Sequence, residues 1–283
     1  GKELSGAEGI QVPAGDFSAK IMVKVGQLDS KDFPANKKYA IPLSIMGASK
    51  YSLIPSQRSA ILLLNRSILS SVAKVSGGEG IRIKPAGMHT KAEWTIQMSA
   101  IYSSLTRNNL TTAYLSGGTG GEFYTRISST AGIQVKNGRD GDDTWTQIPL
   151  QAGKWLHITY VHKDKKTTVY VNGKVQKVFE NSAITFGENS MIIVGNSGYR
   201  NDYLREIRLW DKALTESEIN DYLYLPMDPE TPHLISYLPL SKETGIKDLK
   251  APAGTENVTT KARIEYVENV KFPADELVIV NQE

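Results

Sequence analysis

The chain has 283 residues, 40% of them hydrophobic, with 33 Lys+Arg against 30 Asp+Glu for a formal charge of +3, and it contains no cysteine. That length buries a core unaided by a metal, the lack of cysteine excludes disulfides, thiol chemistry and cysteine-ligated zinc, and the interspersed charges leave no basic stripe for nucleic acid. No apolar run approaches the ~20 residues of a membrane-spanning helix, and SAILLLN around Leu63 has the length of a buried strand.

The chain opens on Gly1-Lys2-Glu3 without a secretion signal, and reads as a chain from which a targeting segment has been removed. Residues 1–66 read as a small immunoglobulin-like β-sandwich. Ala19, Ile21, Val23 and Val25 alternate with Lys20, Met22 and Lys24, the period of a half-buried strand. Tyr39, Ile41, Leu43 and Ile45 repeat it, with Pro42 marking an edge, and Ala60 to Leu64 supply a third, more buried run. The serines and glycines of Arg66 to Gly80 read as the boundary, so the second domain is expected over 67–283.

In that second domain, Gly80 to Lys84 and Ala92 to Tyr102 are expected strands. Ser116 to Gly121 looks superficially like a phosphate-binding glycine loop, but a strand-like EFYTRIS follows where a helix would be required, so a hairpin loop is expected. Gly138 to Asp143 is a tight polar turn between Ile133-Gln134-Val135 and Trp145. Trp155 to Val178 then reads as a three-strand antiparallel meander, with Asn172-Gly173 suited to a two-residue type I′ turn because both positions tolerate positive φ. Ser190 to Val194 is a strand, and Gly195 to Asp202 a loop into the strand Leu204 to Trp210. The one clear helix starts at Thr215, where Thr215 and Glu218 have capping-box spacing and Leu214 and Ile219 form a staple; Pro226 stops it after about three turns. His233 to Leu240 reads as a strand that returns to the same sandwich, and Lys261 to Val280 as one or two more.

Three motifs carry a resemblance: W-x-H with the following turn and VYVNGK, the segment YLREIRLWDKALTESEIN, and the earlier EWTIQM. In this order they resemble laminin-G-like, concanavalin A-like jelly-roll domains. The run VPAGDFSAKIMVKV followed by KKYAIPLSI resembles the N-terminal domain of unknown function found on Bacteroidetes surface proteins. These resemblances imply an all-β chain in which a small sandwich carries a jelly roll with one short helix. They also imply a protein exported to the cell surface or periplasm, anchored only through a removed lipoprotein N-terminus. A fold, and not a reaction, is what they specify.

Enzymes of the concanavalin A-like fold that cleave β-glucans present an E-x-D-x-E triplet on one strand, where alternation sets the carboxylates on one face. This sequence has no such triplet. The remaining catalytic candidates are Glu122, Asp143 and Glu206. Glu206 lies between Arg205 and Arg208 and reads better as a surface ion pair, and Glu122 could converge with Asp140 or Asp143. His157 and His162 are five apart on one strand and point to opposite faces, so they do not suggest a zinc site; His89 and His233 are isolated. Ca²⁺ is the one cofactor considered, since Asp140, Asp142, Asp143, Asn196, Asn201 and Asp202 are hard oxygen ligands in expected loops, although GRDGDD lacks EF-hand spacing; solvated turns have the same chemistry.

Sugar binding needs an aromatic face beside planar polar groups. Tyr199, Arg200, Asn201, Asp202 and Tyr203 are the densest such mixture, with Trp145 and Tyr124 as outlying candidates. The expected function is non-catalytic carbohydrate binding or adhesion, with a polysaccharide or glycoconjugate as partner. The alternatives are a glycoside hydrolase with an atypical carboxylate pair and a module that binds a surface protein.

Overall fold

The structure, a computed structural model, describes residues 11–18, 23–26, 32–33, 37–64, 67–85, 92–114, 123–136, 141–180, 184, 186, 190–195 and 199–281, with the side chains of 107–114 and 199–200 left aside. The chain divides into two compact units, Gly1–Lys37 and Lys38–Glu283. In the first, the described residues hold a turn closed by Asp16 N–H on the Pro13 carbonyl at 3.0 Å, and Val23 to Gly26 lie outside any strand. The rest of the strand expected from Ala19 lies outside the described residues.

The second unit runs β1 (Tyr39–Ser44), β2 (Ser59–Leu64), β3 (Ile68–Gly77), β4 (Ile81–Ile83), β5 (Trp94–Ile101), β6 (Arg107–Tyr114), β7 (Phe123–Ser128) and β8 (Gly132–Lys136). There follow β9 (Trp155–Lys163), β10 (Lys166–Val171), β11 (Lys174–Glu180), β12 (Met191–Val194) and β13 (Tyr199–Trp210), then α1 (Glu216–Asp221), β14 (Leu234–Leu238), β15 (Val258–Thr259) and β16 (Arg263–Phe272). An eight-stranded antiparallel sheet has the order β11-β10-β9-β5-β13-β3-β16, with β14 pairing the end of β13 that β3 leaves open. A six-stranded sheet has the order β15-β4-β12-β6-β7-β8, and the two sheets form a jelly-roll sandwich.

Alternation builds the core between them. Trp94, Ile96 and Met98 of β5 and Tyr160 of β9 meet Phe123 and Ile127 of β7, each burial stabilising by roughly 1.5–3 kcal/mol. Phe123 sits edge-on to both Trp94 and Tyr160, with centroids 5.1 and 5.5 Å away, and Tyr160 donates its hydroxyl across the sandwich to Thr125 at 3.0 Å. β5 is buried along its whole length because its other face is covered too. There Leu214, Ile219 of α1, Met227 and Tyr237 of β14 pack against Val161 and Trp210.

The central meander forms as its sequence dictates, with Asn172 and Gly173 both at positive φ. The serine-rich stretch read as a boundary is instead β3, because Val72, Ala73 and Val75 are buried in it while Ser71 binds the Lys242 N–H at 2.7 Å. The run expected as most buried, β2, is exposed; it forms a two-stranded ribbon with β1, and Ile61 and Leu63 are 69% and 72% accessible. Helix α1 has the expected capping box but spans 6 residues, not three turns. Its chain is diverted because the carbonyls of Tyr222, Tyr224 and Leu225 accept from arginines on β13 instead of continuing the helix.

Candidate functional site

The outer face of the six-stranded sheet gathers the aromatic and planar polar groups. On β7, Phe123, Thr125 and Ile127 enter the core, so alternation turns Tyr124 and Arg126 outward. The β7–β8 hairpin sets Tyr124 opposite Lys136 and Arg126 opposite Gln134, the distance at which cross-strand side chains interact. The Tyr124 ring holds the Arg126 guanidinium 5.5 Å and the Lys136 ammonium 5.3 Å from its centroid.

Trp145 joins them through backbone geometry. Gly132 has φ +78° and lies so close to the passing chain that a Cβ there would stand 2.2 Å from Thr146 Oγ1 and 2.4 Å from the Ile148 carbonyl. Only glycine lets residues 144–148 run along β8, where Trp145 bridges to Gln134. Gln134 donates to Thr144 Oγ1 at 2.8 Å, and Thr144 donates to the Gly141 carbonyl at 2.6 Å. From the edge of the other sheet, Lys177 of β11 donates to the carbonyls of Asp143 and Trp145 at 2.8 and 2.7 Å, fixing the turn from both sides. Tyr124, Arg126 and Trp145 are half-buried, whereas Gln134 and Lys136 are buried. The result is two half-buried aromatic residues and a guanidinium, Tyr124 and Arg126 on β7 and Trp145 on the chain bridged to β8, chemistry that suits a pyranose.

The stretch expected as a rim loop, Tyr199 to Tyr203, is the start of β13. Tyr199 and Arg200 pair in backbone with β3, and their side chains lie outside the described residues. Asn201 is exposed at φ 62°, Tyr203 is half-buried, and Asp202 is buried, its Oδ1 accepting from Ser103 N–H and Oγ at 2.9 and 3.0 Å. Asp202 thus holds the chain after β5. Asp142 and Asp143 are exposed in the turn before Trp145. Glu122, Asp140 and Asn196 lie outside the described residues, and so do His89 and the Ser116 to Gly121 loop. Among the described residues no group of three or more His, Asp or Glu is placed to hold a metal ion.

Glu206 is not at the surface as its flanking arginines suggested. It is 4% accessible, takes Arg208 Nη2 at 2.5 Å and Arg205 Nη2 at 3.5 Å, and accepts the Tyr237 hydroxyl at 3.0 Å. Burial and the Glu206 charge push the Tyr237 hydroxyl up, so it stays a donor. His157 and His162 do face opposite sides. His157 meets Ser99 at 2.6 Å under Tyr224, and His162 stacks on Trp94 in the core. Burial, with the Arg205 and Arg208 charges behind it, pushes His157 down to about 3, and burial pushes His162 down to about 4, so both are neutral structural groups.

Arg126, Gln134 and Lys136 were missed as candidates in the sequence, although the alternation of FYTRIS and GIQVK sets them on one face with Tyr124.

The family model for the concanavalin A-like lectin/glucanases superfamily matches residues 76–220. Among solved structures, a candidate carbohydrate-binding protein from Bacteroides ovatus superposes with a TM-score of 0.58 at 19% identity, over 87% of this chain and 72% of that one. A SAP-like pentraxin from Limulus polyphemus gives 0.44 at 12% identity over 71% and 94%, and a Trypanosoma rangeli sialidase in complex with sialic acid gives 0.43 at 15% over 54% and 27%. No curated protein matches the sequence.

Proposed function

The chain belongs to the concanavalin A-like lectin/glucanases superfamily, and from that premise we propose that it is a non-catalytic carbohydrate-binding protein of the bacterial cell surface. The glycan, a polysaccharide or glycoconjugate, lies on the outer face of the six-stranded sheet and meets Trp145, Tyr124 and Arg126. The observation that carries this reading is the fixing of Trp145 by Gly132, Gln134 and Lys177, which presets an aromatic ring and so lowers the entropy lost on binding.

Hydrolysis by Glu206 is disfavoured because it already accepts from Arg208, Arg205 and Tyr237 and is sealed from solvent, leaving it neither reach nor a free lone pair for a glycosidic oxygen. The division into domains over 1–66 and 67–283, export, and anchorage through a lipidated N-terminus complete the proposal, on the strength of the sequence resemblance.

The test is a polysaccharide affinity screen of the intact chain, with every hit assayed for released reducing ends. Retention without product, reduced tenfold or more in Trp145→Ala, is expected. Product formation, or no binding to any polysaccharide, overturns the reading.

A further inference from the structure

Arg126 is half-buried on the outer face of the six-stranded sheet, and its Nε is fully buried without a hydrogen-bond partner. Among the described residues its guanidinium is met by the π face of Tyr124 alone, an attraction of the cation to the ring quadrupole. A second positive charge, Lys136, comes to the same ring from the opposite strand. Lys177, at the edge of the other sheet, donates to two backbone carbonyls of the adjoining turn. Asp142 and Asp143 in the adjoining turn offset part of this charge. The face still keeps a guanidinium whose Nε–H is withdrawn from water and to which the described residues bring no carboxylate.

A neutral pyranose needs rings and hydrogen-bonding groups but no such cation. We propose that the carbohydrate taken by this face is acidic, a polymer carrying carboxylate or sulfate groups, with Arg126 as the residue that meets the anion. A guanidinium presents paired N–H donors at the spacing of two carboxylate or sulfate oxygens, and partial burial strengthens that ion pair relative to one in open water. Tyr124 orients the guanidinium from beneath, and Trp145 stacks the adjoining sugar ring. The proposal rests on the carbohydrate-binding reading above and adds the ligand class.

Isothermal titration of the intact chain with polygalacturonate and with its methyl-esterified form compares one backbone with and without charge, and chondroitin sulfate against desulfated chondroitin repeats the comparison for sulfate. At least one acidic polymer is expected to bind tenfold or more tightly than its neutral form, and to weaken as salt is raised. Arg126→Gln should remove that difference while leaving residual binding of the neutral form, and Arg126→Lys should restore part of it; thermal unfolding confirms that each variant is folded. Equal binding of charged and neutral forms overturns the acidic preference and leaves carbohydrate binding standing. An unchanged preference in folded Arg126→Gln overturns the role of Arg126. Failure of every polymer, these and the wider screen alike, overturns both readings. If Arg126→Gln does not fold, the comparison of polymers on the native chain decides by itself.

Discussion

Arg205 and Glu206 are consecutive residues of one strand, yet both side chains stand on the same face of the sheet, Nη2 and Oε1 3.5 Å apart. Where β13 passes β5, Arg205 pairs with Ser99 and Arg208 with Gln97, so three steps on one strand oppose two on the other. The extra residue is a bulge, and Glu206 takes it up at φ 55°. Two buried arginines thereby share one buried carboxylate beneath the Tyr222 to Leu225 segment.

Removing that carboxylate leaves both arginines buried and unmatched. Glu206→Ala is expected to lose about 3–5 kcal/mol of stability, and Glu206→Gln, which keeps an acceptor, less. Urea unfolding of the two variants checks this, and a loss below about 1 kcal/mol for the alanine would show that the charges are reached by water.

Acid should destabilise the protein before its carboxylates titrate. His157 and His162 sit at about 3 and about 4 when folded, against 6.5 for the free side chain. The unfolded chain therefore takes up protons that the native state refuses. The stability they confer is full above 6.5 and falls as the pH drops toward 4 and then 3, by up to ~1.4 kcal/mol per pH unit for each histidine. Urea midpoints at pH 7 and pH 5 should differ accordingly, with a shallower slope in His162→Gln; a flat wild-type profile over that interval contradicts the assignment.

Gly173 is irreplaceable for reasons of both conformation and space. It sits at φ +76°, and a Cβ there would stand 2.0 Å from Asn220 Oδ1. Gly173→Ala should cost more than about 1 kcal/mol from the left-handed backbone alone. Adding Asn220→Ala should recover the steric part of the loss but not the backbone part, which a double-mutant cycle separates.

Lys177→Met keeps the stem and removes the donor that holds the Trp145 carbonyl. Affinity for acidic and neutral polymers alike should fall several-fold, with about 1 kcal/mol lost in stability. That pattern differs from Arg126→Gln, which acts on the acidic form, and titration of both polymers distinguishes them. Unchanged affinity for both would show that Trp145 holds its place without the tether.

What was legible in the sequence was local chemistry. Asn172-Gly173, the Thr215/Glu218 box and the alternation of β9 each act within a few residues, and each formed as read. The errors came where distant partners decide. The serines at 70, 71 and 76 read as linker until β13 and β16 supply pairing strands for β3, and the apolar run of β2 reads as buried although the described residues bring nothing over it. The sugar-binding candidates are likewise placed by distant partners. Tyr124 and Trp145 are far apart in sequence and come to one edge of a sheet only because Gly132 admits a passing chain beside β8, whereas Tyr199 to Tyr203, dense in the right residue types, is drawn into a strand by its partners.

Strand β3 has a further consequence, for the order of assembly. Its neighbours are residues 199–204 on one side and 263–272 on the other, so a strand made early waits for segments about 130 and 190 residues downstream. The eight-stranded sheet cannot close during synthesis until almost the whole chain is available. Until then the Val72, Ala73 and Val75 edge stays open, which makes this a slow, late-closing fold.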